Sequence, residues 1–228
     1  MEKVFRKILA GYLNGDDIIE VVAKNQLPRK FFEELNKFIR NLIGLEVVEE
    51  DATRVVLQCF VSNEIDLEQI IHRMDNVTRS MYLDGARALV EGNKDIASNI
   101  IKRDDNVDRL YFLAVRGIRK SIKDPLKPGE QKLKHLDFRL VVRSLEQIGD
   151  YAEKIAVYVL KGFRESSSII EKAKQLARRQ EKIVKAILCD QPCTELSGGI
   201  EIAFPDTPPG ETFKLIESEI NDLVDLVS

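Results

Sequence analysis

The chain of 228 residues is short of the residue types that most often carry catalysis or bind transition metals. It has two histidines (His72 and His135), three cysteines (Cys59, Cys189 and Cys193) and no tryptophan. Three cysteines cannot staple a disulfide scaffold, so a reducing cytoplasm is the expected setting. Two histidines exclude a histidine-rich catalytic metal centre. Neither has an acidic residue three positions before it, which excludes the Glu-x-x-His pairs of a ferritin-like di-iron site. Cys189-x-x-x-Cys193 straddles a helix end and a proline, which argues against zinc. No apolar run approaches the roughly 18 residues of a membrane span, and the first residues, MEKVFRKILAGYLNG, lack a signal-peptide core. There is no P-loop and no G-x-G-x-x-G. No nucleophile, base and orienting group converge, so no enzymatic activity is expected.

What is present is charge, unevenly placed. Residues 190–228 hold nine acidic side chains and one basic (Lys214), a net of −8; the whole chain carries −3, so residues 1–189 carry +5. An acidic end averaged with a mildly basic body gives no case for direct nucleic-acid binding.

The first 65 residues read as a small α/β domain. Val4, Ile8, Leu9, Tyr12 and Leu13 mark one face of a helix, with Gly15 where a C-terminal cap belongs. Asp17–Val22 is short and β-branched, a strand. Pro28 suits the start of a second helix ending near Gly44, and residues 45–49 and 54–61 read as two more strands. From residue 66 the pattern becomes helical. Helices are expected over 66–90, 95–122 and 131–161, the last with Val141, Leu145, Ile148, Ala152, Ile155 and Val159 in heptad spacing. Three helices of this length with short connections pack as an antiparallel bundle spanning residues 66–162. Residues 163–228 read as a basic helix over 167–188, a Pro/Gly-rich loop with a short strand at 200–204, and an acidic helix from Glu211. The basic helix lacks interleaved aromatics and reads as a solvated face.

Two pairs of carboxylates stand four residues apart, hence one turn apart on one helix face. Asp104 and Asp108 fall at the centre of the stripe expected from Ala97, Ile101, Tyr111, Val115, Ile118 and Ile122. Two carboxylates there are costly to bury unpaired, by several kcal/mol. They require Arg partners, with Arg73 and Arg79 as candidates, or a metal ion, or entry of water. Glu146 and Asp150 repeat the spacing on the next helix, outside its apolar stripe, where on the residues alone an exposed ladder, Arg143 to Glu146 and Asp150 to Lys154, is the favoured account. Gly149 inside that helix costs roughly 1 kcal/mol, which suggests close packing or room for a ligand.

Both pairs sit in wording that resembles a known family. RDDNVDRLYFLAVRGI and RSLEQIGDYAEKIA are similar to the two signature helices of the PhoU family of phosphate-uptake regulators, each carrying a D/E-x-x-x-D motif. Gln147 stands for the motif's usual Arg and Tyr151 for a frequent His. RKILAGYLNGDDIIEVV and FIRNLIGLEVVEEDATRVVLQ resemble the segment before the bundle in archaeal-type members, so the likeness covers about residues 1–162. It implies that the usual N-terminal AbrB-like DNA-binding module is missing from this chain. A second bundle is implied only in part: Glu217 and Asn221 fall where Asp104 and Asp108 stand in the first repeat, and no second metal site is expected.

The resemblance implies a cytoplasmic regulator of phosphate homeostasis, a homo-oligomer that docks on a transporter ATPase or a signalling protein. It implies a metal ion (iron, zinc or magnesium) on Asp104, Asp108, Glu146 and Asp150. The competing expectation is the effector and dimerisation portion of a transcriptional regulator whose DNA-binding domain lies elsewhere.

Overall fold

A computed structural model describes residues 1–62, 64–189 and 202–226. The protein is mainly helical, with one small sheet near the N-terminus. The elements follow the order α1 (Glu2–Asn14), β1 (Ile18–Val22), α2 (Arg29–Ile39), β2 (Leu45–Glu50), β3 (Arg54–Cys59), α3 (Leu67–Glu91), α4 (Lys94–Lys123), α5 (Gly129–Leu160), α6 (Ser168–Cys189) and α7 (Pro208–Asp222). A 3₁₀ turn, Leu223–Leu226, follows α7. Of the strand expected at 200–204, the first two residues lie outside the described residues, as do Cys193 and the Gly198-Gly199 pair; residues 202–204 form no strand.

The chain divides into two compact units, Met1–Leu67 with Asp108–Leu136, and Glu68–Val107 with Asp137–Ser228. In the first unit an antiparallel sheet of order β1-β3-β2 presents Val55, Leu57, Cys59 and Leu45 to α1 and α2. Ile8 and Tyr12 of α1 and Phe31, Leu35 and Ile39 of α2 complete this core, and Phe112 of α4 packs against it. Alternation along β1 puts Ile19 and Val21 inward and leaves Ile18, Glu20 and Val22 exposed. A bulge at Val48 shifts the β2 register.

The end of α1 shows how this unit is joined. Gly15 takes φ 89°, ψ 16° and donates to Gly11 and Tyr12, the left-handed cap that only glycine adopts without strain. Arg116 of α4 is 1 % exposed and forks onto the same turn. It donates to the Tyr12 carbonyl at 2.8 Å, the Asp16 carbonyl at 3.0 Å and Asp17 Oδ1 at 2.7 Å. Its guanidinium also lies over the Tyr12 ring, 5.1 Å from the centroid. Lys120 and Lys123 reach Asp17 and the Asn14 carbonyl, so cations gather at the negative end of the α1 dipole. Burial pushes the Tyr12 phenol well up, with a smaller raising effect from Cys59 that Arg116 and Arg109 oppose.

In the second unit the expected α5 stripe of Val141, Leu145, Ile148, Ala152, Ile155 and Val159 is wholly buried. The stripe expected on α4 is met in part, at Ala97, Val115 and Ile118, which are buried. Ile101 and Tyr111 are half-buried and Ile122 is exposed, whereas Ile100, Asp104, Val107, Leu110 and Ala114 are inside. Apolar residues occupy both 100/101 and 110/111, so hydropathy alone could not choose between neighbouring positions. Helix α3 is buried on more than one side. Asp75, Thr78 and Tyr82 meet Gln180 of α6, all of them at most 2 % exposed. Gln180 Nε2 donates to Asp75 Oδ1 at 2.9 Å and Thr78 Oγ1 at 3.1 Å, while the Tyr82 hydroxyl donates to Gln180 Oε1 at 3.2 Å. The last helix begins earlier than expected, at Pro208, because Thr207 caps it by accepting from the Gly210 N–H at 3.1 Å.

Candidate metal centre

Asp104 occupies a position on α4 that elsewhere in the helix is held by Ala97, Ile100, Val107 and Ala114, and it is 8 % exposed. The next turn carries Asp108, half-buried. From α5, Asp150 brings a third carboxylate. One oxygen from each of Asp104, Asp108 and Asp150 lies within 4.8 Å of the others, close enough for a single cation to touch all three.

Gly149 makes this approach possible. A Cβ built there would stand 3.0 Å from Asp104 Oδ1 and 3.2 Å from Val107 Cγ1. The glycine that is unfavourable for α5 as a helix thus opens the space into which Asp104 points, and it serves close helix packing as well as the site.

The surroundings disfavour negative charge. Burial raises the Asp150 carboxyl above its usual range, against lowering by Arg143 and by Gln147, whose Nε2 donates to Asp150 Oδ2 at 3.2 Å. Glu153 is raised by burial and by the charges of Asp150 and Asp105. A bound cation would relieve both the desolvation and the mutual repulsion of these groups. The donor set is all carboxylate oxygen, which suits hard ions such as magnesium or iron better than zinc, whose structural sites favour sulfur and imidazole.

The residues expected from the sequence are placed unequally. Asp104, Asp108 and Asp150 come together. Glu146 stands one turn before Asp150 and forms an ion pair with Arg143, which also donates to Gln147 Oε1 at 3.1 Å. Arg79, a candidate partner for the α4 pair, is engaged with Asp75 at 3.0 Å and with Glu181 at 3.5 Å. The histidines lie elsewhere, His72 against Asn76 and His135 against Ser121. Glu217 of α7 is buried and accepts from the Ile202 backbone N–H at 2.9 Å.

Comparison with known proteins agrees with the position of these helices. Residues 71–159 match the family model of the PhoU domain. Over 101 residues the chain is 33 % identical to a phosphate-specific transport system accessory protein PhoU homolog of Clostridium acetobutylicum, covering 42 % of this chain and 44 % of that protein. A protein of the same description from Pseudomonas putida is 23 % identical over 155 residues, covering 64 % of this chain and 59 % of the relative. The chain therefore spans about half the length of the curated relatives it matches. No solved structure matches it significantly. Asp104, Asp108, Glu146 and Asp150 all fall within residues 71–159, the segment that matches the PhoU domain.

Proposed function

We propose that this protein regulates phosphate uptake by docking on a protein partner of the phosphate transport system, as the description of its relatives suggests. The observation that carries the site half of this reading is the convergence of Asp104, Asp108 and Asp150 beside a bare glycine. These three residues would hold a hard cation, with Glu146 the fourth carboxylate assigned by motif. Bound there, the ion would neutralise the carboxylate cluster and tie α4 to α5, a structural role. The chain's own groups prepare the place: Gln147 orients Asp150, and Gly149 leaves room beside Asp104 and Val107. Among the described residues no helix is long and apolar enough to cross a membrane. We place the protein in the cytoplasm, where the ATPase of a transporter or a signalling protein would be its partner.

Elemental analysis of protein purified without chelator, beside an Asp104→Asn/Glu146→Gln double variant, tests the site. Metal bound stoichiometrically by the parent and lost from the variant is the expected result. Near-zero metal in both would leave the carboxylates a purely electrostatic feature. Glu146→Gln alone decides whether that residue belongs to the ligand set. Pull-down with the ATPase subunit of a phosphate transporter, in the presence and absence of the metal, tests the docking half.

A further inference from the structure

Among the described residues, strand β1 is an open edge of the sheet. The sheet order β1-β3-β2 gives it one strand partner, and Ile18 and Val22 are 65 % and 69 % exposed. Such an edge is a template for another chain, and natural proteins usually blunt it with lysine, proline or a bulge. Within Ile18–Val22 there is none of these.

The hydrogen bonds at its two ends fix which groups face outward. Asp17 O accepts from Cys59 N at 2.9 Å and Ala23 N donates to Thr53 O at 2.8 Å. Backbone groups alternate sides along a strand, so residues 17, 19, 21 and 23 serve β3. The N–H and C=O of Ile18, Glu20 and Val22 are therefore directed at the open edge.

We infer that β1 is a homodimer interface, pairing antiparallel with β1 of a second copy about a two-fold axis at Glu20. Only one centred register uses those outward groups: Ile18 opposite Val22 of the other copy, and Glu20 opposite Glu20. Each such pair exchanges both of its N–H···O bonds. The side chains then match themselves. Ile18 and Val22 form β-branched cross-strand pairs on the exposed face of the sheet, and Ile19 meets Val21 on the helix-covered face. Just beyond the strand ends, the same register sets Asp16 against Lys24 of the second copy. Both are exposed, so the sequence is charge-complementary to its own reverse. The like-charged Glu20 pair is offset because Arg54 already binds Glu20, and Arg54 also bridges to Glu49. The contact is isologous and closes at two copies.

Light scattering after size exclusion, over a broad range of full-chain concentration, reads the outcome. A dimer is expected that dissociates on dilution. Glu20→Pro deletes an N–H that β3 does not use, so it should give a monomer with unchanged circular dichroism. Should that variant misfold, Ile18→Lys/Val22→Lys alters only exposed side chains and should also be monomeric. Lys24→Asp should weaken the dimer on the order of tenfold by placing acid against acid twice, and adding Asp16→Lys should restore it. In the dimer, hydrogen exchange should be slowed at Ile18, Glu20 and Val22. A parent that is monomeric throughout, a dimer that survives the edge substitutions, or a dimer whose Ile18, Glu20 and Val22 amides exchange freely would overturn the inference.

Discussion

Replacing Gln180 with leucine would remove the centre of the polar cluster between α3 and α6 while keeping a side chain of similar length. Asp75 would lose a charge-assisted hydrogen bond, worth about 1.5–3 kcal/mol, and the buried Tyr82 hydroxyl would lose its acceptor, at about 1–3 kcal/mol. The added apolar burial of leucine returns about 1 kcal/mol. The net loss is about 3 kcal/mol, read by urea denaturation at neutral pH. The loss should also depend on pH. Burial raises the Asp75 carboxyl; Arg79 and Gln180 lower it, and Glu181 raises it further. Its native value thus lies above its unfolded one, so the native state holds the proton more tightly. Ionisation of Asp75 makes stability fall as pH rises from the ordinary carboxylate value through the raised one. Removing Gln180 takes away a donor that stabilises the anion, so Gln180→Leu should suffer most at neutral pH. Its deficit should shrink on acidification through that window. A deficit below about 1 kcal/mol, or one that is flat with pH, would refute the idea that this cluster is held by a buried carboxylate.

Two other substitutions probe what α4 and α5 contribute. Arg116→Met should destabilise the first unit by about 1–3 kcal/mol, because the Tyr12 and Asp16 carbonyls lose their shared donor while the exposed Asp17 keeps Lys120. Lysine at that position should recover only part of this loss, since it lacks the guanidinium fork; thermal melts of the two variants make the comparison. Gly149→Ala sets a helix-propensity gain of about 1 kcal/mol against a Cβ pressed on Asp104. Metal-free stability should change by less than about 1 kcal/mol, whereas metal affinity, measured by calorimetric titration, should fall on the order of tenfold as the carboxylate is displaced.

The sequence was most readable where one face of an element is buried. On α5 the heptad positions from Val141 to Val159 all lie in the core, because they form one continuous apolar stripe, with Val142 and Ala156 buried beside it. Helix α3 was only half legible: its apolar positions Leu67, Ile70, Met74 and Met81 mark one side, while Asp75, Thr78 and Tyr82 cover a second side against α6. Polar residues on a helix read as solvent-facing unless the partner is known, and here it is Gln180, over a hundred positions away. Arg116 was invisible for the same reason, its acceptors being supplied by residues 12–17. The carboxylate pair on α4 was recognisable as an anomaly, since Asp104 breaks an apolar run. Asp150 was harder to place, because whether it faces its own helix's ladder or a neighbouring helix depends on a Cβ that Gly149 does not have.

The capture of α1 by Arg116 also bears on synthesis. Tyr12 and Arg116 are separated by 104 positions, so the N-terminal α/β segment emerges from the ribosome well before the side chain that ties down its first helix. After β3 ends at Cys59 a further 57 residues must be added to reach Arg116, which at typical elongation rates takes on the order of several seconds. Throughout that interval the edges of the sheet are present and α1 lacks its clamp. The nascent N-terminal segment is then the stage at which a ribosome-associated chaperone would matter most, and slowing translation before codon 116 should lower the soluble yield.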